Sequence, residues 1–245
     1  MENQTPGVRE RLVTDHAGRY PDGGSVGPVD AQLVGGVWLP ADETHLVEMM
    51  EVHQRREVDG QLTYQYRKLE HALTFLPANR RRRAIDIGAH VGLWSMQLTK
   101  HFGFVFAFEP NPVAADLWRW NVQAPNTLLR EVALGKAEAS VGLRLQHGHS
   151  GHTQVHGDGP IPMRTLDSFG FVDIDFIKID VEGLEAAVCK GAEETILRSR
   201  PVIVVEQKGE DAKMGLTRNG ALSYLEGLGM FSVDCIGGDY FMVWS

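Results

Sequence analysis

Cysteine is nearly absent from this 245-residue chain: only Cys189 and Cys235 occur, too few for a disulfide framework. A reducing compartment is the default for such a chain, and a cytoplasmic protein is expected. No apolar run approaches the roughly 20 residues that a membrane helix needs, so no membrane partner is expected. The opening segment, MENQTPGVRERL, has no apolar stretch of the signal-peptide kind, which argues against secretion. Positive charge is also scarce: 24 Lys and Arg against 32 Asp and Glu leave a net charge of −8. A duplex nucleic-acid partner is therefore not expected, since sequence-independent binding relies on a basic field. Internal repeats and long low-complexity tracts are missing too. What is present is ordinary globular composition, 43% hydrophobic and 23% charged, at a length that buries a core without staples.

The chain reads in two parts, an arm or cap over 1–80 and an alternating region over 81–245. The arm is rich in turn residues, with GRYPDGGSVGP at 18–28 and then the apolar phrase QLVGGVWLP. Apolar spacing predicts a helix over 42–56, on Leu46, Met49 and Met50, and a second over 63–75. A basic run, Arg80 to Arg83, follows. From Ala84 short apolar runs alternate with helical stretches. Strands are expected at 84–88, 104–109, 127–134, 175–180 and 201–207. Helices are expected at 92–102, from Pro112 to Asn121, at 183–198 and at 219–228. Two further extended segments, ASVGLRLQ and PIPMRTL, flank a Gly/His-rich loop. Unbroken apolar strands alternating with helices imply a mostly parallel sheet covered on both faces. The last two runs, FSVDCI and YFMVW, are joined by a GGD turn, which makes the C-terminal edge an antiparallel hairpin. The expected class is α/β: a doubly wound, Rossmann-like sheet with a short N-terminal helical arm. An exposed sheet edge would permit a homodimer.

Open α/β sheets bind ligands beyond the carboxyl ends of their strands. Four carboxylates fall there: Asp86, Glu109, Asp180 with Glu182 and Glu185 just after it, and Glu206. A pyrophosphate would need glycines and helix N–H groups without nearby anions. The first loop, GAHVG, lacks the G-x-G-x-x-G spacing of dinucleotide sites. An adenosine cofactor with a positive centre and no phosphate fits better, and S-adenosylmethionine is such a molecule. Asp86 and the loop amides can meet its amino-acid end, and Glu109, 23 residues on, can accept both ribose hydroxyls.

With these residues in view, the chain from about Val34 onward resembles the FkbM-type branch of class I S-adenosylmethionine-dependent methyltransferases. The matching phrases are DIGAHVGLWS, FEPNP, VALG, TLDSF, FIKIDVEGLE and GAEETI…PVIVVEQ, in order over 86–207. The resemblance implies a cofactor site at Asp86, Gly88, Ala89, Gly92, Glu109, Pro110, Asn111, Val132 and Ala133. It implies a substrate side near Asp180, Glu182 and Glu206, and methyl transfer to a small-molecule or sugar-like hydroxyl. An Asn often holds the place of His90 in the family, which leaves the role of His90 open. An accessory module that binds the cofactor without turnover, an N-methyltransferase and, more remotely, a nicotinamide oxidoreductase are the alternatives.

Several residues keep more than one reading. Asp180, Glu182 and Glu185 could be a solvated helix start, orient or deprotonate a hydroxyl, or hold a divalent cation. We assign Asp180 as orienter and Glu182 as substrate contact or base, with His90 as a further proton acceptor, and no metal. Alternation sets Lys178 on the face opposite Asp180's immediate neighbours, where structural pairing and a substrate contact are equally open. Of His147, His149, His152 and His156, His152 is taken as a substrate contact; a zinc site and a plain polar loop are the rivals. Tyr64 and Gln65 precede a helix that can lie over the cofactor mouth. The arginine run is either solvated or an anion contact. Trp118 and Trp120 are read as helix packing.

Overall fold

The computed structural model describes residues 27–28, 30–144, 146, 148–207 and 220–245. Most of the 18–28 turn segment, and His147 of the histidine loop, lie outside the described residues.

The arm begins with a hairpin, β1 (Ala31–Val34) and β2 (Val37–Pro40), turned by Gly35 and Gly36 at φ +53° and +81°. The expected helix over 42–56 is shorter: α1 (His45–Glu48) runs into one π-turn, Met49–His53. A second small hairpin, β3 (Glu57–Val58) and β4 (Gln61–Leu62), leads to α2 (Tyr66–Thr74). The arm does not stand apart from the rest. Val37, Leu39, Leu46 and Met50 share one apolar cluster with Val91, Leu93, Met96 and Trp118.

The alternating region follows as β5 (Arg83–Ile87), α3 (Leu93–Leu98), β6 (Phe104–Phe108), α4 (Pro112–Asn121) and β7 (Thr127–Arg130). Asn111 caps α4 by accepting the Val113 N–H at 3.1 Å, and Pro112 sits in the first turn, where its missing donor costs nothing. The run 127–134 breaks after Arg130. Its end, β8 (Ala133–Leu134), joins β9 (Ala139–Arg144) and β10 (Gln154–Arg164) in a separate three-stranded sheet. Then come β11 (Ile174–Ile179), α5 (Glu185–Lys190), α6 (Glu193–Ser199), β12 (Val202–Glu206), α7 (Gly220–Gly227), and the hairpin β13 (Met230–Ile236) and β14 (Asp239–Trp244).

The main sheet has seven strands in the order β13-β14-β12-β11-β5-β6-β7. Its five strands β12, β11, β5, β6 and β7 are parallel, and β14 pairs antiparallel with both β12 and β13. The sequence reading of a doubly wound sheet with an antiparallel C-terminal edge therefore describes the fold. Alternation sorts each strand between two layers. Ile85, Ile87, Ile177, Ile179, Ile203 and Val205 pack on the face covered by α5, α6 and α7. Ala84, Phe176, Val204 and Phe241 pack on the other, against Leu69 of α2 and Trp94 and Leu98 of α3. Lys178 is in register with Asp86 and Val204, so its side chain shares this second face with Asp86 and with Glu206.

The arginine run is half-exposed and paired within the chain. Arg82 binds Asp175 at 2.7 Å and also Asp173, while Arg80 and Arg81 donate to carbonyls of Arg200 and Leu76. Trp118 is packed as expected, its indole donating to the Ser95 hydroxyl at 3.0 Å.

Candidate active site

Two clefts open at the carboxyl ends of the parallel strands. The first, about 560 Å³ with its open mouth, has an apolar wall that includes Phe108, Val132, Ala133, Leu134 and Leu143, with Glu109 and Pro110 beside it. The second, about 680 Å³, is more polar and is lined by Glu43, Tyr64, His152, Lys178 and Glu206 as well as by Leu46, Leu93 and Trp94. Gly88, His90, Gly151, Asp180 and Glu182 belong to both, so one wall separates and joins them.

The turn after β5 builds the near side of this wall. Gly88 has φ +78°, and a Cβ there would overlap the Asp180 carbonyl oxygen. Glycine is needed because two loops pass each other at that point. The Gly88 and Ala89 amides donate to the Phe108 carbonyl at 3.0 Å, which fixes the turn to the end of β6. His90 follows at φ +50°, and its N–H donates to Glu109 Oε2 at 2.7 Å. Glu109 Oε1 accepts the Asn111 N–H at 2.8 Å. Burial nevertheless pushes the Glu109 carboxyl up to about 7, with the two amides acting against it. Burial also lowers His90 to about 4, so its imidazole is neutral at pH 7, and its Nε2 is buried without a hydrogen-bond partner among the described residues.

The loop after β11 builds the far side. Lys178 is buried and donates to Asp180 Oδ2 at 3.1 Å. Burial alone would lower the ammonium, but Asp180, Asp86 and Asp239 outweigh it and hold Lys178 above its ordinary value. Oxygens of Asp180, Glu182 and Glu206 lie within 4.8 Å of one another. Glu182 takes φ +54°, an uncommon value for a residue with a side chain. Glu185 shapes this bend by accepting the Val181 and Gly183 N–H groups at 3.1 Å. Burial raises the Glu185 carboxyl to about 7. Glu185 thus serves the loop from behind rather than facing the clefts.

Four residues expected at the cofactor site line neither cleft. Asp86 is fully buried inside β5, where its Oδ2 accepts the Ser95 hydroxyl at 2.6 Å and burial raises its carboxyl. Alternation turns it under α3 instead of out of the strand end. Gly92, at φ +95°, starts α3, and a Cβ there would come within 2.9 Å of Trp118 Cδ1. Its need is a turn and close packing. Asn111 is committed to the α4 cap. Gln65 accepts the Trp94 indole N–H at 3.0 Å, which turns it into the core, while its neighbour Tyr64 does line the second cleft.

Glu43 was invisible in the sequence. It is 1% exposed, its Oε1 accepts the Leu46 N–H at 2.9 Å, and its Oε2 accepts the Ser150 N–H at 2.7 Å and the Ser150 hydroxyl. His45 stacks on His149, rings 4.8 Å apart, and His149 lies 5.3 Å from His152. The arm therefore clasps the histidine loop across the second cleft. No local pattern signals this, because Asp-Glu-Thr before a helix reads as an ordinary cap.

A search among curated proteins finds no match. Among solved structures, the FkbM methyltransferase of Methylobacillus flagellatus KT is 16% identical, with a TM-score of 0.44. The alignment covers 68% of this chain and 44% of that one, so the chain spans less than half of that relative. A precorrin-6y C5,15-methyltransferase of Geobacter metallireducens GS-15 is 16% identical over 78% of this chain and 90% of its own, with a TM-score of 0.43. A Streptococcus mutans protein in complex with S-adenosylhomocysteine is 14% identical over 71% and 94%, with a TM-score of 0.45. The methyltransferase FkbM domain matches residues 86–220, more than half of the chain. The phrases from DIGAHVG to PVIVVEQ thus belong to one recognised domain: the chain is a member of the FkbM methyltransferase family, whose methyl donor is S-adenosylmethionine.

Proposed function

We propose that this methyltransferase holds its donor in the first cleft and methylates a hydroxyl oxygen of a small or sugar-like acceptor in the second. The observation that carries the reading is the shared wall of Gly88, His90, Gly151, Asp180 and Glu182 between a mostly apolar cleft and a more polar one. A transfer enzyme needs its two ligands in contact through one such boundary.

The donor set suits an adenosine with a free ribose. Each Glu109 oxygen already accepts one backbone N–H, so each keeps a lone pair for one of two neighbouring hydroxyls. Pro110, Val132 and Ala133 offer an apolar flank to a purine, and the Gly88 and Ala89 turn borders the other end. Bound there, S-adenosylmethionine supplies a methyl group on a positively charged sulfur. Asp180 orients the acceptor hydroxyl, with Lys178 fixing its carboxylate. Glu182 contacts the acceptor and takes its proton, and neutral His90 is the alternative acceptor. His152 and Glu206 hold the rest of the acceptor. Positioning supplies much of the rate, since displacement at carbon requires the three reacting atoms in line.

A nitrogen acceptor is the second reading. It is favoured by the carboxylates of the second cleft, Glu43, Asp180, Glu182 and Glu206, against Lys178. The test is transfer of a labelled methyl group to a panel of polyols, amino sugars and amines, with the product bond read by NMR. An O-methyl product supports the proposal, and an N-methyl product replaces it. Tight S-adenosylhomocysteine binding with no transfer to any acceptor would leave a binding module.

A further inference from the structure

A third groove, about 1180 Å³ with its open mouth, lies between the arm and the C-terminal hairpin and shares no lining residue with the two clefts. Among the described residues its wall carries four cations, Arg55, Arg56, Arg67 and Lys68, and no carboxylate, with His53 beside them already paired to Glu48 at 3.1 Å. In a chain of net charge −8 this is a local reversal of sign.

These cations are not equivalent. Lys68 is spent on the buried Asp239 carboxylate. Arg56 is fixed by Glu70, with both contacts at 2.6 Å, and by the Tyr66 ring 4.7 Å away. Arg55 and Arg67 are exposed and enter no ion pair or hydrogen bond among the described residues. Arg67 and Lys68 also stand in the first turn of α2, which has no acidic residue and no side-chain cap. Positive charge at a helix N-terminus opposes the helix dipole, so the groove holds two sources of positive potential with little to neutralise them.

We propose that this groove is a second ligand site that takes the phosphate or pyrophosphate group of a small molecule. Two guanidinium groups without partners among the described residues, beside a third held in place, can each give a forked pair of hydrogen bonds to phosphate oxygens. A small ligand fits better than a nucleic-acid strand, because a longer backbone would run out of the groove onto an acidic molecule.

The test is calorimetric titration of the full chain with inorganic pyrophosphate and with a nucleoside diphosphate, beside an Arg55→Ala/Arg67→Ala double variant. Both side chains are on the surface, and S-adenosylhomocysteine titration checks that the variant keeps its fold and donor cleft. The expected result is sub-millimolar binding of at least one of the two ligands, weakened about tenfold or more in the double variant. Donor-product affinity should be unchanged, whatever the acceptor proves to be. No binding of either ligand, or equal binding by both proteins, overturns the site. A short single-stranded oligonucleotide that outcompetes pyrophosphate for the same arginines overturns the small-ligand assignment.

Discussion

Glu109 is asked to do two opposed things, to stay buried and to carry charge. Burial lifts its folded value from 4.5 to about 7, so the folded chain holds this proton more tightly than the unfolded chain does. Its contribution to stability is neutral below pH 4.5, falls as pH rises toward 7, and is flat above that, at a slope of at most about 1.4 kcal/mol per pH unit. Glu109→Gln should remove that slope. The variant should gain stability at pH 8 relative to pH 5, compared with wild type, in denaturant midpoints. It should also bind S-adenosylhomocysteine about tenfold or more weakly, because hydrogen bonds to a charged acceptor are the stronger ones. A variant that is more stable and binds worse is the signature of a carboxylate strained for ligand. Equal pH profiles and equal affinity would place the donor elsewhere. The type of residue at this position was legible from its place at a strand end. The inward turn of Asp86 was not, because only the register with Lys178 and the hydroxyl of Ser95 show which face a strand-end carboxylate takes. Gly88→Ala tests the same turn: its Cβ would meet the Asp180 carbonyl at a positive φ, so a loss of about 2 kcal/mol or more, or failure to fold, is expected in denaturant unfolding.

The arm and the histidine loop are coupled as elements through Glu43. Burial alone would raise this carboxyl, yet bonds from Ser150 and Leu46 and the field of His90 hold it below its usual value. Glu43→Ala would strip the clasp and leave the Ser150 backbone N–H without its partner. Faster hydrogen exchange over 148–153 should follow, together with an acceptor KM raised about tenfold and an unchanged donor Kd. Unaltered exchange in that loop would show that the clasp is ornamental. Elements were legible where period and punctuation agree, as in α4 with its Asn-Pro start. They were misread where a distant backbone decides. The run 183–198 has helical spacing throughout, but it breaks between α5 and α6. A Cβ at Gly191 would overlap the Gly135 carbonyl, so the chain there is shaped by close passage to the β8 turn. The segment 42–56 likewise has a continuous apolar stripe, yet it widens into a π-turn where it ends at Gln54, whose side-chain oxygen accepts the Gln65 N–H at 3.0 Å.

At the scale of the whole molecule, sequence yields the parallel core, because unbroken apolar runs between helices have few other solutions. It does not yield the separate sheet of β8, β9 and β10 or the arm's place over the second cleft, since both depend on pairing partners far along the chain. The described residues include no helix long and apolar enough to cross a membrane. A donor that binds only the folded chain must raise its stability by mass action. At about a hundred times its Kd, S-adenosylhomocysteine should add about 2.7 kcal/mol. A chain of this size gains about 2–4 °C per kcal/mol, so its melting midpoint should rise by about 5–10 °C. In the Arg55→Ala/Arg67→Ala variant, where the proposed pyrophosphate groove is disabled, NADH at the same concentration should leave the midpoint unmoved, because the GAHVG turn and the carboxylates of Glu109 and Asp180 offer no place for a pyrophosphate. With S-adenosylhomocysteine the Arg55→Ala/Arg67→Ala variant should shift as wild type does, and Glu109→Gln should shift much less. An equal shift with NADH in the double variant would point to a dinucleotide in the first cleft, and a full shift in Glu109→Gln would remove the ribose from that carboxylate.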